Sequence, residues 1–301
     1  MATLDKKNCK YAACYCEENV YHLCATLVES GQAKDLDKLF VIFISNPNKK
    51  VPLFRQQAST AAEGLVVWDY HVLLVQLESD AAASKGPQPQ ALVWDLDTTL
   101  PFPCEGTQYA KEALQATTLL LPPDFARFYR VVPALLYLEY FCSDRSHMKV
   151  PPWRPRAPHG FNSDSSKSES ESGGGCDEET GGYSWSSPPP PWPPIQPKNS
   201  CGVPQHNLPC YWSLDPSLCC GTQALQETLQ GRVQGGANSM LQHLGKPSEG
   251  QSEQKGPFDD FNCQRKQAEQ SGHGHQDFRE SRYGLVVSEL DFLRFVLRLH
   301  L

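Results

Sequence analysis

The stretch Leu65-Val-Val-Trp-Asp-Tyr-His71-Val-Leu-Leu-Val-Gln-Leu77 decides the fold. β-Branched and aromatic residues dominate it, which suits buried strands rather than a helix. Two strands are expected, Leu65–Trp68 and His71–Leu77, close together or continuous through Asp69-Tyr70. Upstream, Leu39–Ile44 reads as a buried strand, Asn46-Pro-Asn-Lys as a turn and Val51–Arg55 as a further strand. Downstream, Ala91–Asp95 and Arg130–Val132 read as strands, and Tyr109–Leu119 and Ala134–Phe141 as helices. Before them all, Glu17–Ser30 suits an amphipathic helix. Val20, Leu23, Cys24, Leu27 and Val28 share one face, and Gly31 ends it. A helix, several strands and then further helices give an α/β chain of α+β layout.

Composition is uneven around that block. The chain has 301 residues, a net charge of −7, 25 Pro, 21 Gly and 12 Cys. Residues 150–282 hold 16 of the Pro and 16 of the Gly, so the excess belongs to that stretch and not to the fold. Within 162–182, six acidic residues face one lysine in a Ser- and Gly-rich run that cannot bury enough apolar surface to offset chain entropy. That run, and the Gln-, Gly-, Ser- and His-rich stretch at about 219–281, are expected to be disordered. Pro188–Pro191 suits polyproline II. The apolar Tyr283–Leu297 piece is expected to return to the core as a strand or turn followed by a helix, with Ser288 as N-cap.

The charge balance argues against nucleic acid as a partner, and no apolar run approaches the ~20 residues that span a bilayer. The opening Met1-Ala-Thr-Leu-Asp-Lys-Lys has no secretory apolar core, so an intracellular protein with reduced thiols is expected.

Three features then carry chemistry. Cys14-Tyr-Cys16-Glu-Glu-Asn precedes the first helix, where the positive end of the dipole would lower a thiol's pKa and helix-start amides could hold an oxyanion. His71 sits in an apolar strand and needs a polar partner. Asp95 ends the strand Leu-Val-Trp-Asp, and a paired neighbour strand would bring its carboxylate to the imidazole. Cys, His and Asp in that order fit a papain-type relay. A zinc site is not expected: Cys14-x-Cys16 is not a Cys-x-x-Cys hairpin, Cys219-Cys220 and His273-Gly-His275 lie in polar sequence, and no matching second pair follows. Phosphate-loop, dinucleotide and Gly-x-Ser-x-Gly motifs are absent.

These strings also resemble the protein N-terminal glutamine amidohydrolase family. The resemblance runs through Cys14-Tyr-Cys-Glu-Glu-Asn19, Phe43-Ile-Ser-Asn46, Val67-Trp-Asp-Tyr-His-Val72, Asp95-Leu-Asp-Thr98, Leu100-Pro-Phe-Pro-Cys104 and Ser143-Asp-Arg-Ser-His-Met-Lys149. Patches follow at Pro188–Pro191, Leu214-Asp-Pro216 and Tyr283-Gly-Leu-Val. It implies a single-domain papain/transglutaminase-like cysteine hydrolase fold, acting as a monomer without cofactor or metal. It also implies Cys16 as nucleophile, His71 as base and Asp95 as orienter. The implied reaction deamidates N-terminal Gln of proteins or peptides to Glu with release of ammonia, through a thioester, and would feed an N-degron degradation pathway in the cytoplasm or the nucleus.

On this reading the chain divides into a 9–149 core, a 150–182 acidic insertion, a 183–216 Pro-rich family segment, a 217–282 polar insertion and a 283–301 piece completing the core. Recognition of a free α-amino group calls for an acidic side chain, and Glu17, Glu18 and Asp69 are the candidates. In the Ser143–Lys149 string, Asp144, Arg145 and His147 either line the cleft or brace it, a structural ion pair being the favoured reading. The competing readings are a transglutaminase-like or papain-like hydrolase, which uses the same thiolate on another substrate, and a non-enzymatic protein docking through its Pro-rich run.

Overall fold

The computed structural model describes residues 4–31, 36–77, 91–116, 118–150, 183–196, 206–215, 217, 219, 222–230 and 283–299. The 151–182 insertion and most of the 217–282 stretch, with His273 and His275, lie outside the described residues.

Alternation along β1 (Leu39–Ser45) organises the fold. All seven residues are buried. Phe40, Ile42 and Ile44 face one apolar cluster, and Leu39, Val41 and Phe43 face another. A strand covered on both faces reads as a continuous apolar run, even in an antiparallel sheet. β1 pairs with β4 (Tyr70–Leu77) on one side and β7 (Phe128–Pro133) on the other. β5 (Ala91–Trp94) and β6 (Cys104–Glu105) extend the sheet past β4, β8 (Lys149–Val150) and β9 (Ser184–Trp185) pair with each other outside it, and β10 (Leu285–Ser288) flanks β7. All the pairings are antiparallel, in the order β10-β7-β1-β4-β5-β6. The result is a mixed α/β architecture built on one large antiparallel sheet.

Helices cover both faces. α1 (Cys16–Glu29) buries Val20, Leu23, Cys24 and Leu27, together with Tyr137 and Leu138 of α3 (Ala134–Tyr140), against one face. Burying each such aliphatic side chain is worth about 2 kcal/mol. Gly31, at φ +65°, ends α1, its N–H donating to the Val28 carbonyl. On the other face lie Tyr109 and Ala110 of α2 (Gly106–Glu112), with Phe292, Leu293 and Val296 from the C-terminus.

The structure departs from the sequence expectation in four places. The strands on either side of Asp69 are not continuous: β3 (Val66–Trp68) pairs with β2 (Val51–Leu53) in a separate ribbon, and only β4 joins the large sheet. α2 begins three residues before Tyr109 and stops at Glu112; Gln115 adopts φ +50°, which breaks the helix before Leu119. β7 is longer at both ends than Arg130–Val132, because β1 offers it six register partners. The polar stretch from about 219, expected to be disordered, contains a helix, α5 (Thr222–Leu229). Leu225 and Leu229, one turn apart, bury its apolar edge in the core, and Lys38 Nζ donates to the Leu229 carbonyl at 3.4 Å.

The C-terminal piece pairs with β7 and adds Val287, Phe292, Leu293 and Val296 to the core. Ser288 Oγ caps a short α turn (Glu289–Asp291) by accepting from the Asp291 N–H at 3.2 Å. A wider π turn, Phe292–Val296, follows, and Phe292 stacks on Tyr129 at 4.1 Å between centroids. Gly284, at φ +78°, lets the chain enter β10, since a Cβ there would collide with the Val131 and Val132 backbone. Arg127, 2% exposed, fixes the result. It donates to both carboxylate oxygens of Glu289, at 2.9 and 2.6 Å, and to the carbonyls of Pro52 and Leu114.

Candidate active site

Asn19, one turn into α1, shapes the loop that carries Cys16. Its side-chain amide clasps Ala12 on both sides, accepting from the Ala12 N–H at 2.9 Å and donating to the Ala12 carbonyl at 2.8 Å. Cys14 then turns through φ +68° and stays exposed, while buried Tyr15 hands the chain to the helix. Cys16 is the first helical residue and is half-buried. β5 pairs with β4 only as far as Leu74. The Val72 N–H, beyond that ladder, donates to the Cys16 sulfur, so the thiol lies beside the residue that follows His71.

The helix start does not activate this thiol by itself. Burial first, and then the carboxylates of Glu17, Asp97 and Asp69, push the Cys16 pKa well above that of a free cysteine. The expectation of a thiol lowered by the helix dipole is thereby corrected: burial, together with the carboxylates around the thiol, outweighs the dipole.

His71 and Asp95 meet as the strand pairing requires. Leu74 lies opposite Trp94, so residues just past the end of β5 lie alongside the start of β4. His71 Nε2 and Asp95 Oδ1 are 3.0 Å apart, both side chains fully buried. Burial lowers the imidazole pKa, but the Asp95 charge more than offsets it and the net shift is upward. The Asp95 carboxyl is raised by burial and lowered more by His71, so it sits below its usual value. The remaining Asp95 contacts favour the carboxylate. Oδ1 accepts the Asp97 N–H at 2.9 Å, and Oδ2 accepts the Tyr109 hydroxyl at 2.8 Å and Gln56 Nε2 at 3.5 Å. Trp68 lies flat on the His71 ring, 5.4 Å between centroids, and its indole N–H donates to Gln56. The other ring nitrogen, Nδ1, is buried with no hydrogen-bond partner among the described residues.

His71, Asp95 and Asp97 also place possible metal-ligand atoms within 4.8 Å of one another, the one such cluster among the described residues. These atoms are already engaged with each other and with Tyr11, whose hydroxyl donates to Asp97 Oδ1 at 2.6 Å. Within this set the Asp95 carboxylate fixes the orientation of the imidazole.

The three acidic candidates fall in different surroundings. Both Glu18 oxygens are taken, by Arg145 Nε at 2.8 Å, Arg145 Nη2 at 2.7 Å and Trp192 Nε1 at 2.8 Å. Arg145 also donates to the carbonyls of Pro190 and Trp192, so its ion pair, made with Glu18 and not with Asp144, ties the Pro-rich segment to the start of α1. Asp69 is exposed and caps its neighbour's N–H. Glu17 is fully buried beside the thiol. Its Oε2 accepts from the Tyr70 hydroxyl at 3.0 Å and lies 3.7 Å from Cys16 Sγ. His147 Nε2 stands 3.5 Å from Glu17 Oε1 without a hydrogen bond. Tyr109, Gln56 and Trp192 were not singled out by sequence, because nothing in a lone tyrosine, glutamine or tryptophan marks it as a partner of a distant carboxylate.

The mixed α/β chain carries a thiol at a helix start and, separately, a buried histidine–aspartate contact, side-chain types that thiol hydrolases use together. Comparison with known proteins narrows this. The model of the N-terminal glutamine amidase family matches residues 11–233, and the chain belongs to that family, whose named members are hydrolases acting on an amide bond. The chain is 45% identical over 158 residues to a protein N-terminal glutamine amidohydrolase of Arabidopsis thaliana, covering 52% of this chain and 68% of that one. It is 43% identical over 145 residues to the proteins of that name from Drosophila ananassae and Drosophila mojavensis, covering 48% of this chain and 65% of each of those.

Proposed function

We propose that the chain converts an N-terminal glutamine of a protein or peptide to glutamate, releasing ammonia, with Cys16, His71 and Asp95 as the catalytic residues. The observation that carries this reading, beside family membership, is the 3.0 Å His71–Asp95 contact with the opposite ring nitrogen left open. That nitrogen, Nδ1, would take the Cys16 proton. The thiolate would attack the side-chain carboxamide carbon of the substrate, and amides at the start of α1 would hold the oxyanion. His71 would pass the proton to the leaving nitrogen as ammonia departs, leaving a thioester. Water, deprotonated by His71, would hydrolyse the thioester to the new carboxylate and return the proton to Cys16. Asp95 keeps the ring orientation and favours the imidazolium through these steps.

The reading extends to a papain- or transglutaminase-like arrangement around a 9–149 core completed by 283–301. It describes a monomer that needs no cofactor, acts in the cytoplasm or nucleus rather than on nucleic acid or membrane, and feeds an N-degron pathway. The test is the full-length chain with a Gln-initiated peptide. Wild type should release ammonia and raise the peptide mass by about one dalton. Cys16→Ala should do neither while melting as wild type does. Ammonia release by Cys16→Ala at the wild-type rate would remove Cys16 from the mechanism.

A further inference from the structure

We infer that Glu17 receives the free α-ammonium group of the substrate, in the place that the His147 imidazole now takes. This rests on the amidohydrolase reading and deepens it. A side-chain deamidase confined to chain ends needs a device that senses a positive charge a few bonds from the carboxamide. Of the carboxylates around the thiol, Glu18 is neutralised by Arg145 and has no free oxygen, and Asp97 is engaged by the Tyr11 hydroxyl. Asp69 is exposed, where solvent screens an ion pair to little value. Glu17 alone combines burial, proximity to the thiol and an oxygen to spare. Oε1 has no hydrogen-bond partner among the described residues.

Distances agree. The amino nitrogen and carboxamide carbon of glutamine are four bonds apart, at most about 5 Å. A thiolate attacks from about 3–3.5 Å, and an ammonium binds a carboxylate at about 2.8 Å. Glu17 Oε2 lies 3.7 Å from Cys16 Sγ and Oε1 is the second oxygen of the same carboxylate, so one bent glutamine spans the thiol and Oε1. His147 belongs to a short turn (Ser146–Met148), its side chain 22% exposed and held by stacking on His206 at 5.5 Å. It is partly exposed where Glu17 is buried, and its displacement by a cation breaks no hydrogen bond to Glu17.

The arrangement has a second effect. Glu17 is the nearest negative charge opposing ionisation of Cys16. An ammonium bound there cancels that charge, so the correct substrate also makes its nucleophile easier to form. A peptide lacking the charge should therefore lose turnover as well as binding.

The test compares ammonia release from a Gln-initiated peptide with release from its N-acetyl and desamino counterparts, on wild type, Glu17→Gln and Asp69→Asn. Wild type should favour the free amine on the order of 100-fold in kcat/KM, the scale of a buried charge pair. Glu17→Gln keeps the shape and the Tyr70 contact, and the preference should fall to within about threefold; Asp69→Asn should keep it. A preference retained in Glu17→Gln, lost in Asp69→Asn, or absent from an active wild type overturns the inference. A wild type inactive on all three peptides instead defeats the amidohydrolase reading. If Glu17→Gln does not fold, Glu17→Asp reads the same quantity: a weakened preference supports the inference, and an unchanged one overturns it.

Discussion

Replacing Arg145 by methionine tests how the start of α1 is held. Glu18 has no exposed surface, and the Arg145 side chain is 5% exposed. Methionine fills most of the space but removes the guanidinium. Glu18 is then left as a buried carboxylate with one remaining donor, the Trp192 indole at 2.8 Å. The carbonyls of Pro190 and Trp192 lose their donor in the same step. Stranding one partner of a buried pair costs about 3–5 kcal/mol. At about 2–4 °C per kcal/mol for a chain of this size, the melting point should drop by roughly 10 °C. Urea unfolding of wild type, Arg145→Met, Glu18→Gln and the double variant measures the effect. The double variant should recover much of the loss, because no uncompensated charge remains in it. A single-variant cost below about 1 kcal/mol, the scale of an exposed pair, would refute the reasoning. So would strict additivity in the cycle.

Tyr109→Phe removes the 2.8 Å hydroxyl contact to Asp95 Oδ2. A hydrogen bond to a charged acceptor contributes about 1.5–3 kcal/mol, which should appear as lost stability near pH 7. Because the Asp95 pKa is depressed in the fold, that contribution is complete above the unfolded value and fades as pH falls through the folded one. Urea titrations should show the deficit narrowing below about pH 4, and a deficit independent of pH would mean that only packing had been lost. Gly284→Ala forces a Cβ onto the Val131 backbone in a left-handed conformation. It should cost more than 1 kcal/mol, read as increased proteolysis near the C-terminus, whereas unchanged cleavage would contradict the required close approach.

What was legible in sequence follows a physical divide. β1 and β4 announce themselves because a strand buried on both faces must be apolar at every position, as Leu39–Ile44 is. His71 stood out because it interrupts such a run, and Asp95 because it ends the neighbouring strand. The 3.0 Å contact between them follows from pairing the two. The helix at Thr222–Leu229 did not stand out. Its two anchors, Leu225 and Leu229, sit in a Gln-rich background where helical and disordered compositions look alike. The broken helix after Glu112 and the split at Asp69 depend on tertiary partners, the Phe54–Ala113 and β2–β3 contacts, that no local pattern encodes. The thiol's raised pKa was missed for a similar reason: the dipole is a local property, but burial, the largest cause, is set by tertiary packing, and beside neighbouring Glu17 the opposing charges come from Asp97 and Asp69, more than fifty residues away.

The sheet order bears on how the chain folds as it is made. The residues of the proposed triad and the strands that hold them lie within the first 105 positions and can pair soon after they emerge. β7 follows at Phe128–Pro133, but its outer neighbour is β10, which begins at Leu285. Until Leu285–Ser288 has been made, β7 presents an unpaired row of amides and carbonyls, the condition under which strands recruit the wrong partner. Arg127, at the mouth of β7, also waits for Glu289 throughout that interval. The stage of biosynthesis most exposed to misassembly therefore falls at the edge farthest from β5 and β6, after the residues of the candidate site have been made.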